Sequence, residues 1–106
     1  MGGKDPQITI QTLKVLATFA SPRADKLSGA EIARETKLLT GTLYPILARL
    51  EDAGWLRSEW ETGDPSELGR PRRRLYQITG LGVRKSNVAI RALALPLKEQ
   101  LAWLTR

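Results

Sequence analysis

The densest chemistry in the sequence is cationic. Gly69-Arg70-Pro71-Arg72-Arg73-Arg74 places four arginines in five positions around a proline. A guanidinium is a planar fork of donors that matches phosphate oxygens. A turn built from this stretch can therefore present charge to a phosphate backbone or into a narrow minor groove. Arg74 shares strand parity with Tyr76 and so points inward, which leaves Arg70, Arg72 and Arg73 as the candidate contacts. A solvated basic loop would have the same composition, so the remaining elements must decide. The net charge of +6, from 17 Lys+Arg against 11 Asp+Glu, points to the same kind of polyanionic partner.

Other chemistry is excluded by what the chain lacks. It has no cysteine and no histidine. Disulfides, thiolate metal sites and zinc sites are therefore ruled out, as is a nucleophile activated by histidine. No metal and no cofactor are expected. The acidic residues are scattered, with no pair that stands out as an acid–base couple, so an enzyme is not expected. No apolar run reaches the 18 or more residues of a membrane span. Met1-Gly2-Gly3-Lys4-Asp5-Pro6 has no apolar core of a secretory signal. On these readings the protein is expected in the cytoplasm, with no membrane partner.

A second set of donors lies on a helix. Thr40-Gly41-Thr42 opens a segment running to Ala53, in which Leu43, Ile46, Leu47 and Leu50 recur at helical spacing. The opposite face carries Gly41, Pro45, Ala48 and Asp52, flanked by Thr42, Tyr44 and Arg49. Small residues allow close approach to a polymer, and Thr, Tyr and Arg supply the donors that DNA reading needs. Lys37 and Thr40 flank the entry to this helix. An amphipathic helix with a mixed surface would show the same periodicity.

These residues must be positioned by the surrounding elements. Thr9 to Ala20 is helical, with Ile10, Leu13, Leu16/Ala17 and Ala20 on one face, and Ser21-Pro22 ends it. Arg23 to Leu27 is a polar link with room for one short strand. Ser28 and Glu31 form a capping box for a second helix whose apolar face is Ala30, Ile32, Ala33 and the Thr36 methyl. Gly54 stands where a helix ends in a left-handed residue. Trp55 to Glu61 alternates as a strand with Leu56, Ser58 and Trp60 on one face; Trp55 is expected half-buried and Trp60 packed on Tyr76. Thr62 to Pro71 reads as loop, and Arg72 to Thr79 as the returning strand. Thr79 caps a last helix reaching about Thr105, with an apolar stripe of Ile90, Leu93, Leu97, Leu101 and Leu104. Pro96 should kink this helix or split it.

Three helices, a hairpin and a terminal helix give a mainly α fold with a small β-hairpin: a winged helix-turn-helix followed by a long C-terminal dimerisation helix. Residues 1–79 form the DNA-binding part and 80–106 the dimerisation helix of the same compact domain. The third helix enters the major groove with its N-terminal part. The terminal stripe has no remaining core to cover and is expected to meet its counterpart across a two-fold axis.

At this level of detail the chain resembles PadR-like transcriptional regulators. Gly41-Thr42-Leu43-Tyr44-Pro45-Ile46-Leu47-Ala48-Arg49-Leu50-Glu51-Asp52-Ala53-Gly54 is similar to that family's third-helix signature. Ser58-Glu59-Trp60-Glu61, Gly69-Arg70-Pro71-Arg72-Arg73 and Tyr76-Gln77-Ile78-Thr79-Gly80-Leu81-Gly82 follow in the order of its wing and post-wing motifs. The likeness covers roughly residues 9–95 and has the compact form with a single C-terminal helix. It implies a homodimer that binds double-stranded DNA, usually as a repressor, and a small aromatic or lipophilic effector. The family's His-Gly-Tyr run is replaced here by Leu27-Ser28-Gly29-Ala30, so no role of those side chains carries over.

Trp103 has two readings: a wall of an effector site at the dimer interface, or plain interface packing. The DNA-binding residues expected are Lys37, Thr40, Thr42, Tyr44, Pro45, Arg49, Arg70, Arg72 and Arg73. The alternative function is a winged helix module whose third helix and wing dock a protein.

Overall fold

The structure is a computed structural model that describes residues 5–20 and 25–104, the side chains of 95, 97, 98, 100 and 103 excepted. The elements in chain order are α1 (Ile10–Thr18), β1 (Leu27–Ser28), α2 (Gly29–Thr36), α3 (Thr40–Asp52), β2 (Leu56–Trp60), α4 (Pro65–Leu68), β3 (Arg74–Ile78) and α5 (Gly80–Leu104). The strands form one antiparallel sheet in the order β1-β3-β2. The hairpin is thus extended by β1, whose Leu27 and Ser28 face Tyr76 and Leu75. This winged helix arrangement agrees with the sequence reading, and each departure from it has a physical reason.

The face of α1 is rotated from the expected one. Ile10 is 72% exposed, while Val15, Leu16 and Phe19 enter the core and Thr12 is buried. Thr9 caps the helix by accepting from the Thr12 N–H at 3.1 Å. Packing of Val15, Leu16 and Phe19 into the core leaves Ile10 outward. The helix ends at Thr18, earlier than expected, with Phe19 as its C-cap; Ser21-Pro22 lies outside the described residues.

In α2, Ser28 Oγ accepts from the Glu31 N–H at 3.2 Å, as a capping residue does. Ile32 is buried completely, and the Thr36 hydroxyl donates to the Ile32 carbonyl at 2.7 Å. Ala30, expected on the apolar face, is exposed at the first turn. Leu43, Ile46, Leu47 and Leu50 of α3 are all at or below 4% exposure and form the centre of the core with Ile32, Val15 and Leu56. Gly54 follows α3 at φ +80, a conformation that side-chain-bearing residues rarely adopt, and turns the chain into β2.

Trp55, expected half-buried, is only 2% exposed and joins the core. Thr62 to Pro71 is not loop throughout. Asp64 caps one helical turn, α4, by accepting from the Ser66 N–H at 3.0 Å, and Gly69 ends it.

Thr79 caps α5 as expected: its hydroxyl oxygen accepts from the Gly82 N–H at 3.0 Å and donates to the Gly54 carbonyl at 2.6 Å. One threonine therefore ties the end of α3 to the start of α5. Pro96 does not split α5, which is assigned as one helix of 25 residues. Proline removes one helical hydrogen bond, and the ladder on either side carries through. At 1.5 Å per residue α5 is about 37 Å long. It accounts for the elongated outline of 63 × 30 × 27 Å and a radius of gyration of 16.3 Å, against about 13 Å for a compact chain of this size. Among the described residues no helix is long and apolar enough to cross a membrane.

Candidate nucleic-acid interface

The buried leucine and isoleucine row of α3 fixes which side of that helix meets solvent. Thr40, Gly41, Thr42, Tyr44, Pro45, Ala48, Arg49 and Asp52 are all exposed. The helix starts at Leu39 without a side-chain cap. The Thr42 N–H donates to the Leu39 carbonyl at 2.9 Å, which leaves the N–H groups of Thr40 and Gly41 without a bond among the described residues, an arrangement that favours an anion at a helix start. Pro45 lies inside the helix and has no N–H for the Gly41 carbonyl.

Tyr44 is held by a feature absent from the motif reading. Its ring lies over the backbone of Gly29, the first residue of α2. A Cβ built at Gly29 would sit 2.4 Å from the Tyr44 hydroxyl oxygen. Only a residue without a side chain lets the ring lie there. The Leu27-Ser28-Gly29-Ala30 stretch thus supplies a seat for Tyr44 and a cap for α2.

β2 and β3 pair in the register Leu56↔Ile78 to Trp60↔Arg74. Trp60, expected to pack on Tyr76, stands opposite Arg74 and diagonal to Tyr76 on the same face. Trp60 is 61% exposed, and the Arg74 guanidinium carbon lies 5.1 Å from its ring centroid, a cation–π arrangement. Arg74 does turn toward the protein, as its parity indicated. Its Nε donates to Ser58 Oγ at 2.9 Å, and Ser58 Oγ donates to Glu51 Oε2 at 2.5 Å. The base of the wing is thereby bonded to the last turn of α3.

The tip of the wing divides its arginines. Arg70 donates from Nη1 and Nη2 to the two carboxylate oxygens of Glu61, at 2.6 and 3.0 Å. The Arg73 N–H adds a 3.3 Å bond to the same carboxylate. The Arg70 guanidinium holds the Glu61 carboxyl down to about 2 from its ordinary 4.5. Arg72 donates through Nε to the Gly63 carbonyl at 2.6 Å. Among the described residues the Arg73 guanidinium has no hydrogen-bond or ion-pair partner, and neither does that of Arg49.

Between the start of α2, α3 and the wing lies a cleft of about 450 Å³, walled by Gly29, Tyr44, Trp60, Arg72, Arg73 and Tyr76. The structure therefore brings Tyr44, Arg72 and Arg73 to one opening. Lys37 is placed elsewhere: it ends α2 at φ 60 and lines a groove against α1 with Lys14 and Thr18. Gly29 and Trp60 were missed by motif reading. A glycine after a helix-capping serine has no sequence signature of a ring seat, and strand parity alone put Trp60 inside.

On α5, Ile90, Leu93, Leu101 and Leu104 are 49–80% exposed. The side chains of Leu97 and Trp103 lie outside the described residues.

A helical core, a short third strand and a basic hairpin beside an exposed third helix define a winged helix protein. Residues 26–87 match the transcriptional regulator PadR-like family. The chain belongs to this family of transcriptional regulators. Solved structures with the same fold include a PadR family transcriptional regulator from Eggerthella lenta, 25% identical over 87% of this chain and 80% of that one, with a TM-score of 0.63. A PadR family transcription regulator from Clostridium difficile is 20% identical over 91% and 99% of the two chains, with a TM-score of 0.72. Bacillus subtilis PadR in complex with operator DNA is 18% identical over 77% and 48%, with a TM-score of 0.63. No curated protein matches the chain.

Proposed function

We propose that this protein is a cytoplasmic, sequence-specific DNA-binding regulator that represses transcription as a homodimer on a two-fold operator. The observation that carries the reading is the common opening of Tyr44 on the exposed third helix with Arg72 and Arg73 of the wing. Phosphate oxygens suit all of these groups, and phosphate contacts set register. Thr40 adds a donor at the helix entry. Thr42 and Arg49 flank the exposed face, where a hydroxyl and a guanidinium reach base edges. Pro45 stiffens the turn that carries them.

Residues 1–79 bind DNA in this reading, and α5 pairs with α5 of a second copy. The exposed Ile90, Leu93 and Leu104 of α5 are its support, since large apolar side chains exposed at helical spacing mark an interface. Relief of repression by a small aromatic or lipophilic ligand completes the proposal. Quenching of tryptophan fluorescence by planar aromatic compounds tests that part.

The main test is binding to the DNA upstream of the protein's own gene, against a scrambled duplex, over a series of salt concentrations. A dimer making about 6–10 phosphate contacts loses affinity steeply as salt rises, by about 0.9 in the log–log slope per contact. Absence of duplex binding would favour the protein-docking alternative. A stable monomer in sedimentation at micromolar concentration would remove the two-fold part.

A further inference from the structure

The wing looks basic, yet its tip carries no net charge. Residues 61–73 hold three carboxylates, Glu61, Asp64 and Glu67, against three guanidiniums, Arg70, Arg72 and Arg73. Attraction to phosphate at this tip must therefore come from how the charges are separated, and the structure separates them by bonding.

Glu61 stands at the point where the chain leaves β2. Its N–H donates to the Arg73 carbonyl at 2.8 Å, and its carboxylate accepts the Arg73 N–H in return. Both main-chain groups of Arg73 are thus held by Glu61. Arg70 closes the opposite side of the carboxylate with its bidentate pair, the strongest geometry available to these two groups. The pair is largely shielded, at 33% and 21% side-chain exposure. Asp64 is occupied as the cap of α4. Of the three tip arginines, only Arg73 has a guanidinium without a hydrogen-bond or ion-pair partner among the described residues, and it stands at the end of a fixed backbone.

We infer that Arg70 is a positioning residue rather than a DNA contact: with Glu61 it clamps the base of the wing and holds the Arg73 backbone so that its guanidinium points at the nucleic acid. The inference rests on the DNA-binding reading and refines it. It divides the arginine cluster into a strut, Arg70, and a contact, Arg73. The depressed Glu61 carboxyl, at about 2, keeps the strut charged throughout the physiological range.

The sign of one substitution separates the strut from a contact. Glu61→Gln makes each protomer more positive, and by charge alone it should tighten duplex binding. If Arg70 is a strut, Glu61→Gln instead weakens binding, by roughly fivefold, because the wing must now be ordered on binding. The double variant Glu61→Gln/Arg70→Ala should be no weaker than Glu61→Gln and should keep the wild-type salt slope. Arg73→Ala should lower that slope by about 0.9 per protomer. Tighter binding by Glu61→Gln, or a slope lost in the double variant as in Arg73→Ala, would make Arg70 a direct phosphate contact and overturn the inference. Hydrogen exchange of the free protein gives an arm that needs no DNA. The Arg73 amide should exchange at least several-fold faster in Glu61→Gln, and an unchanged rate would sink the clamp. If the wild type binds no duplex at all, the DNA-binding reading fails, and the exchange result still decides whether the clamp exists.

Discussion

Residues 43–50 of α3 bury four aliphatic side chains at 4% exposure or less, whereas no side chain between 57 and 75 is buried. The two regions open on the same cleft, and different forces hold them. The third helix is located by apolar packing, which is insensitive to salt and acid. The wing is located by charge-assisted hydrogen bonds: Glu61 to Arg70, Asp64 to the start of α4, and Arg72 to the Gly63 carbonyl. A surface set by packing is rigid because many weak contacts must break together. One set by a few polar bonds can open alone while the core stays intact. The comparison predicts that each half fails under its own kind of perturbation.

The largest effect belongs to the core. Leu47→Ala empties a site that is 0% exposed and should cost about 2–5 kcal/mol of global stability. Denaturant unfolding measures it. A cost under about 0.5 kcal/mol would mean that α3 is not held by this row. The wing counterpart is Arg72→Ala/Arg73→Ala, which should leave global stability within about 0.5 kcal/mol. It should reduce affinity for operator and random duplex alike and flatten the salt dependence. A large fall in melting temperature for that pair would erase the distinction between the regions.

Where the two regions meet, Gly29→Ala sharpens the comparison. The new methyl would sit 2.4 Å from the Tyr44 hydroxyl oxygen, and a side-chain end can swing away. Stability should change by less than about 1 kcal/mol, while duplex affinity falls toward that of Tyr44→Phe. Unchanged affinity would show that Tyr44 does not need its seat.

The smallest effect is in acid. Glu61 is depressed to about 2 from 4.5, so its contribution to wing order is fully present above pH 4.5 and is lost as pH falls through about 2. The Arg73 amide resonance should therefore hold constant from pH 7 to about pH 5 and shift with a midpoint near 2. A midpoint near 4.5 would mean that the carboxylate is not clamped in solution.

Much of this was legible without coordinates because it is local. The row from Leu43 to Leu50, the Ser28 cap, the Gly54 turn and the Thr79 cap each depend on residues within one or two helical turns, and all four stand as read. The inward turn of Arg74 followed from strand parity in the same way. The errors came where a pattern had two solutions. Either of two faces of α1 is apolar enough to bury, and packing chose the one with Val15 and Phe19. Trp60 has inward parity but stands at the end of β2, beyond the core, where Arg74 covers its ring.

The sequence by itself determined α2, α3, α5 and the two long strands of the hairpin, the caps at Ser28 and Thr79, and the α3 row that closes the core, because side-chain periodicity and caps act over a few residues; it did not show α4 or the buried face of α1. Only the tertiary structure decided that Tyr44 rests on Gly29, that Ser58 and Arg74 tie the wing to Glu51, and that Arg70 spends its charge on Glu61 rather than on solvent. Those pairings depend on strand register and on the path of the chain between Glu61 and Arg73. The composition of an arginine-rich loop is the same whether a guanidinium is free or bound, and only the position of a carboxylate beside it tells the two apart.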